Sequence, residues 1–323
     1  MTDTLSLPLL ANESWYGGVI DDGWKMPFQE GFSRHLVREI HGNQEQPLLV
    51  SSKGRWVWSE APFRCRIGLG HLHLDSHEAE LVTGEGHSDL RGACRAAQQR
   101  FFPASGALPA AELFTRPQYN TWIELMYEQA QAPILAYAER LVAEGYPTGV
   151  LMIDDTWQLN YGVWDFNVGR FPDAKGLIRR LHDLGFQVML WVCPLISPDS
   201  AAFRKARDLG LIIRDRAGQP AIRSWWNGYS AALDMTNPEA RAWLRAQLQK
   251  LQEEYGVDGF KFDAGDPYCY RDLSPSKTND NAPYKSLLAD GSQTMERFVQ
   301  VLHNLPLPHF WHDFPSSPCR NEY

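Results

Sequence analysis

The 323-residue chain contains no run of about 18 apolar residues, the length a membrane-spanning helix needs. Residues 1–14 hold an acidic side chain where a secretory leader needs positive charge, so a soluble, non-exported protein is expected. Basic runs are absent too: 31 Lys and Arg face 39 Asp and Glu, for a formal charge of −8. Nothing here could follow a phosphate backbone, which argues against a nucleic-acid partner. Cysteine is scarce and scattered: Cys65, Cys94, Cys193, Cys269 and Cys319 are odd in number and form no C-x-x-C. Neither a disulfide framework nor a zinc knuckle is indicated, and a reducing cytoplasm is the expected location. There is no Walker sequence and no G-x-S-x-G, and Gly68-x-Gly70 and Gly84-x-Gly86 lack the strand-to-helix setting of a nucleotide loop.

What is plentiful is tryptophan, 12 residues, within an otherwise ordinary globular composition that makes disorder or coiled coil a poor reading. Flat aromatic faces suit sugar rings. The length suggests two domains at about 150 residues each, and the chain changes character near residue 115. Before it, β-like runs at 48–52, 55–59, 63–69 and 71–74 recur at the spacing of antiparallel strands, which predicts a β-sandwich over 1–115. After it the rhythm is strand, loop, helix. Strands are expected at 119–125, 149–153, 187–192 and 259–262, and helices at 130–144, 177–184, 201–209, from Pro238 onward and at 294–304. Apolar strands alternating with helices make an α/β class with a parallel sheet covered on both sides. Carboxylates and aromatics at successive strand ends favour a (β/α)8 barrel over an open sheet for 116–323.

In Gly259-Phe-Lys-Phe-Asp263, alternation puts Lys261 and Asp263 on one face and Phe260 and Phe262 on the other. With the aromatics packed under helices, the charged pair faces inward, where an ion needs a partner or a role. An adjacent ammonium should keep Asp263 ionised, as a carboxylate nucleophile requires; a structural ion pair is equally compatible with the pattern. Val150-Leu-Met-Ile-Asp-Asp155 ends in two acids, of which parity sends only one where Asp263 points. These acids either accept hydrogen bonds from sugar hydroxyls or cap the following loop. Trp191, at the end of Gln187–Cys193, is either a core residue or a sugar platform, and Trp157, Trp164, Trp225 and Trp226 cluster near other strand ends. The run His71-Leu-His-Leu74 with His77 lacks an acid at ligand spacing and reads as a solvated strand face.

The segment from Tyr119 to about Tyr270 resembles the catalytic barrel of glycoside hydrolase family 31, a group of retaining α-glycosidases. The residues that carry the likeness are Val150–Asp155, Trp164-Asp-Phe166 with Arg170-Phe-Pro-Asp173, Val188–Pro194, Leu233–Pro238 and Gly259–Asp266, in the family's order. The resemblance implies Asp263 as nucleophile, Lys261 as the basic residue beside it, Asp154 as an acid binding sugar hydroxyls, and Trp191 as an aromatic of the same subsite. It adds Asp155, Trp226 and Asp266 to the sugar-binding residues. Trp225-Trp-Asn-Gly228 and Asn120–Leu125 look like a branch that includes α-galactosidases. Residues 1–115 resemble the sandwich that precedes the barrel, with Trp56 and Trp58 as landmarks and Trp15–Gly18 as the loop expected to reach the site. An oligosaccharide or α-glycoside is the implied partner, and no metal or cofactor is implied. The sequence departs from the family after Asp263. No residue corresponds to the general acid/base, 306–323 does not match the next expected segment, and about four of about eight barrel strands are present. A C-terminally truncated barrel is expected, and its open sheet edge invites a second chain to complete it.

Overall fold

Strands dominate the first hundred residues because apolar side chains there recur at every second position. The computed structural model describes residues 3–36, 45–76, 79–103, 106, 108, 110–215, 217–235, 237–264 and 310–311. It divides into two compact units, one running to Gly106 and the other following it.

The first unit contains β1 (Asp3–Pro8), β2 (Trp15–Val19), β3 (Ser33–His35), β4 (Glu45–Ser51), β5 (Trp56–Ser59), β6 (Phe63–Gly68), β7 (His71–Ser76), β8 (Leu81–Gly84) and helix α1 (Leu90–Phe101). Two antiparallel sheets form, ordered β1-β7-β6-β3 and β2-β4-β5-β8. Phe63, Cys65, Ile67, Leu72 and Leu74 of one share a core with Trp15, Val19, Leu49 and Val57 of the other. The four runs expected from sequence lie on β4 to β7. Strands β1, β2, β3 and β8 and helix α1 were not foreseen. Strand β5 is buried on both faces, since Trp56 and Trp58 turn away from Val57 to meet Ala93 and Ala97 of α1. Asp89 starts that helix by accepting from the Gly92 N–H at 2.8 Å.

The segment at Trp15 is a core strand rather than a site-reaching loop. Trp15 has no exposed surface, and the Arg55 guanidinium lies 5.4 Å from its ring centroid. A ring with both faces covered offers none to a sugar. Arg55 in turn binds Glu13, a carboxylate with no exposed side-chain surface.

The second unit runs through α2 (Glu112–Thr115), β9 (Gln118–Asn120), α3 (Trp122–Leu125), α4 (Gln131–Ala143), β10 (Val150–Ile153), α5 (Ala174–Asp183), β11 (Gln187–Val192), β12 (Leu195–Ile196), α6 (Ala201–Asp208), β13 (Ile222–Trp225), β14 (Gly228–Ala232), α7 (Pro238–Tyr255), β15 (Gly259–Phe262) and β16 (Phe310–Trp311). Five strands form one parallel sheet, β9-β10-β11-β15-β16. The fifth corrects the count of four: Phe310 and Trp311 pair with Gly259 and Phe260, and two residues are too few to show a periodicity. The strand expected over 119–125 stops at Asn120, whose Oδ1 accepts from the Trp122 N–H and turns the chain into α3. The helix expected at 294–304 lies outside the described residues.

Helix α7 shows how the chain marks its own boundaries. Asn237 caps the start by accepting from the Glu239 N–H, Pro238 takes the first turn where no donor is needed, and Ala240, Leu244, Leu248 and Leu251 make the buried stripe. Gly256 ends it at φ +78°, a left-handed conformation that costs glycine little. No helix among the described residues is long and apolar enough to cross a membrane.

Candidate active site

Parallel register alone assembles the centre of the site. Ile153 pairs with Leu190, Leu190 with Phe260 and Trp191 with Lys261, so Asp154, Trp191 and Lys261 form one row across β10, β11 and β15. Parity selects the face. Val150, Met152 and Met189 pack together on this side under Ala110 and Leu113, whereas Phe260 and Phe262 are buried on the other.

Lys261 Nζ donates to Asp154 Oδ2 at 2.9 Å and lies 3.6 Å from Asp263 Oδ2. The same Asp263 oxygen accepts from the Trp191 indole N–H at 2.8 Å, and Oδ1 accepts from the Ala264 N–H at 2.9 Å. Ala264 itself has φ +55°, an uncommon conformation for a residue with a Cβ. Asp263 keeps 34% of its side chain exposed while Asp154 keeps 4%. The pair is thus unequal: Asp154 is enclosed and committed to Lys261, and Asp263 is held by donors but open.

Trp191 is 1% exposed. It contributes an N–H, not the sugar-stacking face expected of it, because the strand end places its ring inside, 6.0 Å from the Tyr161 ring. Trp157 donates to the Trp191 carbonyl at 2.7 Å and is fully buried, and Trp164 packs edge-on against Trp243. Trp225 is 6% exposed and lies on Tyr161. Of this cluster only Trp226 presents a large exposed face, at 45%.

Asp155 points into a second constellation. Its carboxylate accepts from the Thr156 N–H at 2.6 Å, from the Tyr161 hydroxyl at 3.0 Å and from Asn227 Nδ2 at 2.6 Å. Burial pushes its pKa up to about 6, with the Tyr161 and Asn227 hydrogen bonds working in the opposite direction. Burial and the adjacent Asp155 carboxylate likewise raise the Tyr161 phenol well above its usual range. Trp225 pairs with Gly228, so Trp226 and Asn227 are the two loop residues of a tight hairpin. Asn227 also accepts from the Tyr127 hydroxyl at 2.8 Å and so ties the hairpin that carries Trp226 to two neighbouring loops. Sequence reasoning assigned no role to Asn227 or Tyr161. The Asn-Gly pair after two tryptophans is the available signal, marking a two-residue hairpin turn.

The motif Trp164-Asp-Phe166 is structural here. Asp165 receives the Tyr255 hydroxyl and Lys250 Nζ from α7. Burial raises its carboxyl, but those two hydrogen bonds outweigh it and hold the group below the usual range. Asp173 caps α5 by accepting from the Gly176 N–H at 2.9 Å. Asp266 lies outside the described residues, as does His77.

The raised pKa of Asp155 has a signed consequence. Between its ordinary value of 3.8 and about 6 the folded chain holds a proton that the unfolded chain has released. Stability from this group is therefore present at low pH and lost as pH rises through that window. Asp155→Asn cannot titrate. Relative to the variant, the wild type is expected to lose about 2 kcal/mol between pH 4 and pH 7 in urea unfolding. A difference independent of pH would refute this account of Asp155.

A family model described as the glycosyl hydrolases family 31 TIM-barrel domain matches residues 112–311. The myogenesis-regulating glycosidase of Mus musculus is 37% identical over 283 residues, covering 82% of this chain and 36% of that protein. An α-xylosidase of Lactiplantibacillus pentosus is 25% identical over 261 residues, covering 77% and 32%. The chain thus spans about a third of the length of these curated relatives. Among solved structures, a family 31 dextranase of Flavobacterium johnsoniae complexed with glucose superposes with a TM-score of 0.75 at 15% identity, over 100% of this chain and 41% of that one. A xylosidase from Aspergillus niger gives 0.70 at 20% identity, over 96% and 46%. At these identities the structural likeness speaks to fold.

Proposed function

The chain belongs to glycoside hydrolase family 31, and from that premise we propose that it hydrolyses terminal α-glycosidic bonds, of an α-galactoside or an α-glucoside, with retention of configuration. The observation that carries this reading is the setting of Asp263: a half-open carboxylate at a strand end, with one oxygen fixed by Trp191 and the other by Ala264. That is how a nucleophile is aimed. An Asp263 oxygen attacks the anomeric carbon as the glycosidic C–O bond breaks, the departing oxygen takes a proton from an acid, and a glycosyl ester forms. Water then cleaves the ester, losing its proton to the same acid's conjugate base. Asp154, held by Lys261, would accept hydrogen bonds from sugar hydroxyls, and Trp226 offers the exposed ring for stacking. Residues 1–115 would be the β-sandwich preceding the barrel.

One observation favours a second reading, sugar binding without cleavage. Of the carboxyls at these strand ends, Asp154 is engaged by Lys261 and Asp155 by Tyr161 and Asn227, which leaves neither placed to protonate a leaving group. The two readings separate on 2,4-dinitrophenyl α-galactoside and α-glucoside, whose leaving group needs little acid assistance. The hydrolase reading expects a burst of dinitrophenolate stoichiometric with protein on at least one of them. Saturable binding with no burst on either would leave the binding reading.

A further inference from the structure

The outer face of the β1-β7-β6-β3 sheet carries two cationic side chains that nothing in the catalytic reading uses. Antiparallel register fixes which residues share it. One row across the four strands is Thr4, Asp75, Arg64 and His35, and the next is Ser6, His73, Arg66 and Ser33. The intervening row, Leu5, Leu74, Cys65 and Arg34, turns to the core side, where Leu74, Cys65 and Arg34 are buried. The two polar rows line a hollow of about 670 Å3. Within it the Arg64 and Arg66 side chains are exposed and, among the described residues, form no ion pair or hydrogen bond. Asp75 stands opposite Arg64 in register without forming an ion pair with it. His73 is held in the face by Ser6 Oγ at 3.2 Å and the Gly68 carbonyl at 3.3 Å, with the His71 ring stacked 5.8 Å away.

We propose that this face binds an oligosaccharide bearing carboxylate or sulfate groups. Two guanidinium forks two residues apart on one strand face are roughly 7 Å from each other. Each can take an anionic group through paired N–H donors, the geometry in which arginine exceeds lysine. The charge stands out because the whole chain carries −8. Hydroxyls of Thr4, Ser6 and Ser33 surround the arginines and suit a sugar backbone. No aromatic ring other than imidazole lines the hollow, so the stacking platform that single-stranded nucleic acid uses is missing among these residues. The choice of a glycan over another polyanion rests on the family 31 reading; the arginine pair itself does not. The alternating histidines first read as a solvated face thus become the flank of an anion site.

The test is isothermal titration of the full chain with three hexasaccharides: oligogalacturonate, sulfated isomaltohexaose and neutral isomaltohexaose. At least one anionic probe is expected to bind, to weaken between 50 and 300 mM NaCl, and to lose tenfold or more in affinity in Arg64→Gln/Arg66→Gln. Arg64→Lys/Arg66→Lys should fall between the two. The neutral probe should not respond to the arginine changes. Failure of both anionic probes to bind, or equal affinity in the Gln variant, overturns the proposal. So does equal affinity for a single-stranded oligonucleotide of the same charge, or arginine-dependent self-association in sedimentation without glycan binding, which would assign the face to a second copy. Loss of the dinitrophenolate burst with arginine-dependent glycan binding intact would defeat the hydrolase reading alone.

Discussion

Asp263→Asn is expected to lower dinitrophenolate release by about a thousandfold or more, equivalent to some 4 kcal/mol of barrier. The neutral amide oxygen is far less nucleophilic than a carboxylate, and a good leaving group does not compensate for that loss. The surrounding hydrogen bonds make this prediction more specific than a lost side chain. Trp191 donates to Oδ2, and the Ala264 N–H fixes Oδ1. Trp191→Phe keeps the ring's bulk in its buried position and removes one donor to the carboxylate. A hydrogen bond to a charged group contributes about 1.5–3 kcal/mol, so a fall of about ten- to a hundredfold in burst rate is expected. KM should scarcely change, because a 1%-exposed indole touches no ligand. If Trp191→Phe instead raised KM and left the burst rate alone, Trp191 would be a sugar platform, as the sequence led us to expect.

The largest expected loss of stability lies in the first unit, at Arg55. Its guanidinium binds both oxygens of Glu13 and the Pro8 carbonyl and covers Trp15. Arg55→Leu strands a carboxylate that has no exposed side-chain surface, and breaking such a pair costs about 3–5 kcal/mol. The pH dependence separates this from lost packing. In the wild type, burial pushes Glu13 up, but hydrogen bonds from Arg55, Ser51 and the Leu10 N–H outweigh it and hold the carboxyl below its usual range. That contribution is present above the ordinary carboxylate value and fades as pH falls through the lowered one. Without Arg55 burial dominates, the sign reverses, and the variant should recover stability as Glu13 takes up a proton. The gap between wild type and Arg55→Leu in urea unfolding should therefore narrow from pH 7 to pH 4. A gap that stays constant would mean that Arg55 acts on Trp15 alone.

Alternation made the site's centre readable from sequence. Phe260 and Phe262 had to share one face and Lys261 and Asp263 the other, and they do. Parity also separated Asp154 from Asp155 correctly. What alternation could not convey is depth. Trp191 and Asp263 share the inward face, yet one is buried and the other half-open, because a neighbouring loop drops Tyr161 over the indole but not over the carboxylate. Trp15 misled for the same reason: a Trp-Tyr-Gly-Gly run looks like a loop until a second sheet, built from strands distant in sequence, closes over it. Asn227 depends on partners 66 and 72 residues away, and β16 on a two-residue pairing. The Asn-Gly pair marks the turn at Asn227 but not its distant partners, and two residues of β16 are too few to mark a strand.

Retaining hydrolysis requires one carboxylate to become covalently attached to the sugar. Incubation with a 5-fluoro-α-glycosyl fluoride of the galacto or gluco series, then protease digestion and tandem mass spectrometry, tests it most directly. A single adduct is expected, with a mass equal to one fluoroglycosyl group, located on Asp263 and absent from Asp263→Asn. A label on another carboxylate, Asp154 above all, or an adduct that persists in the variant, would contradict it.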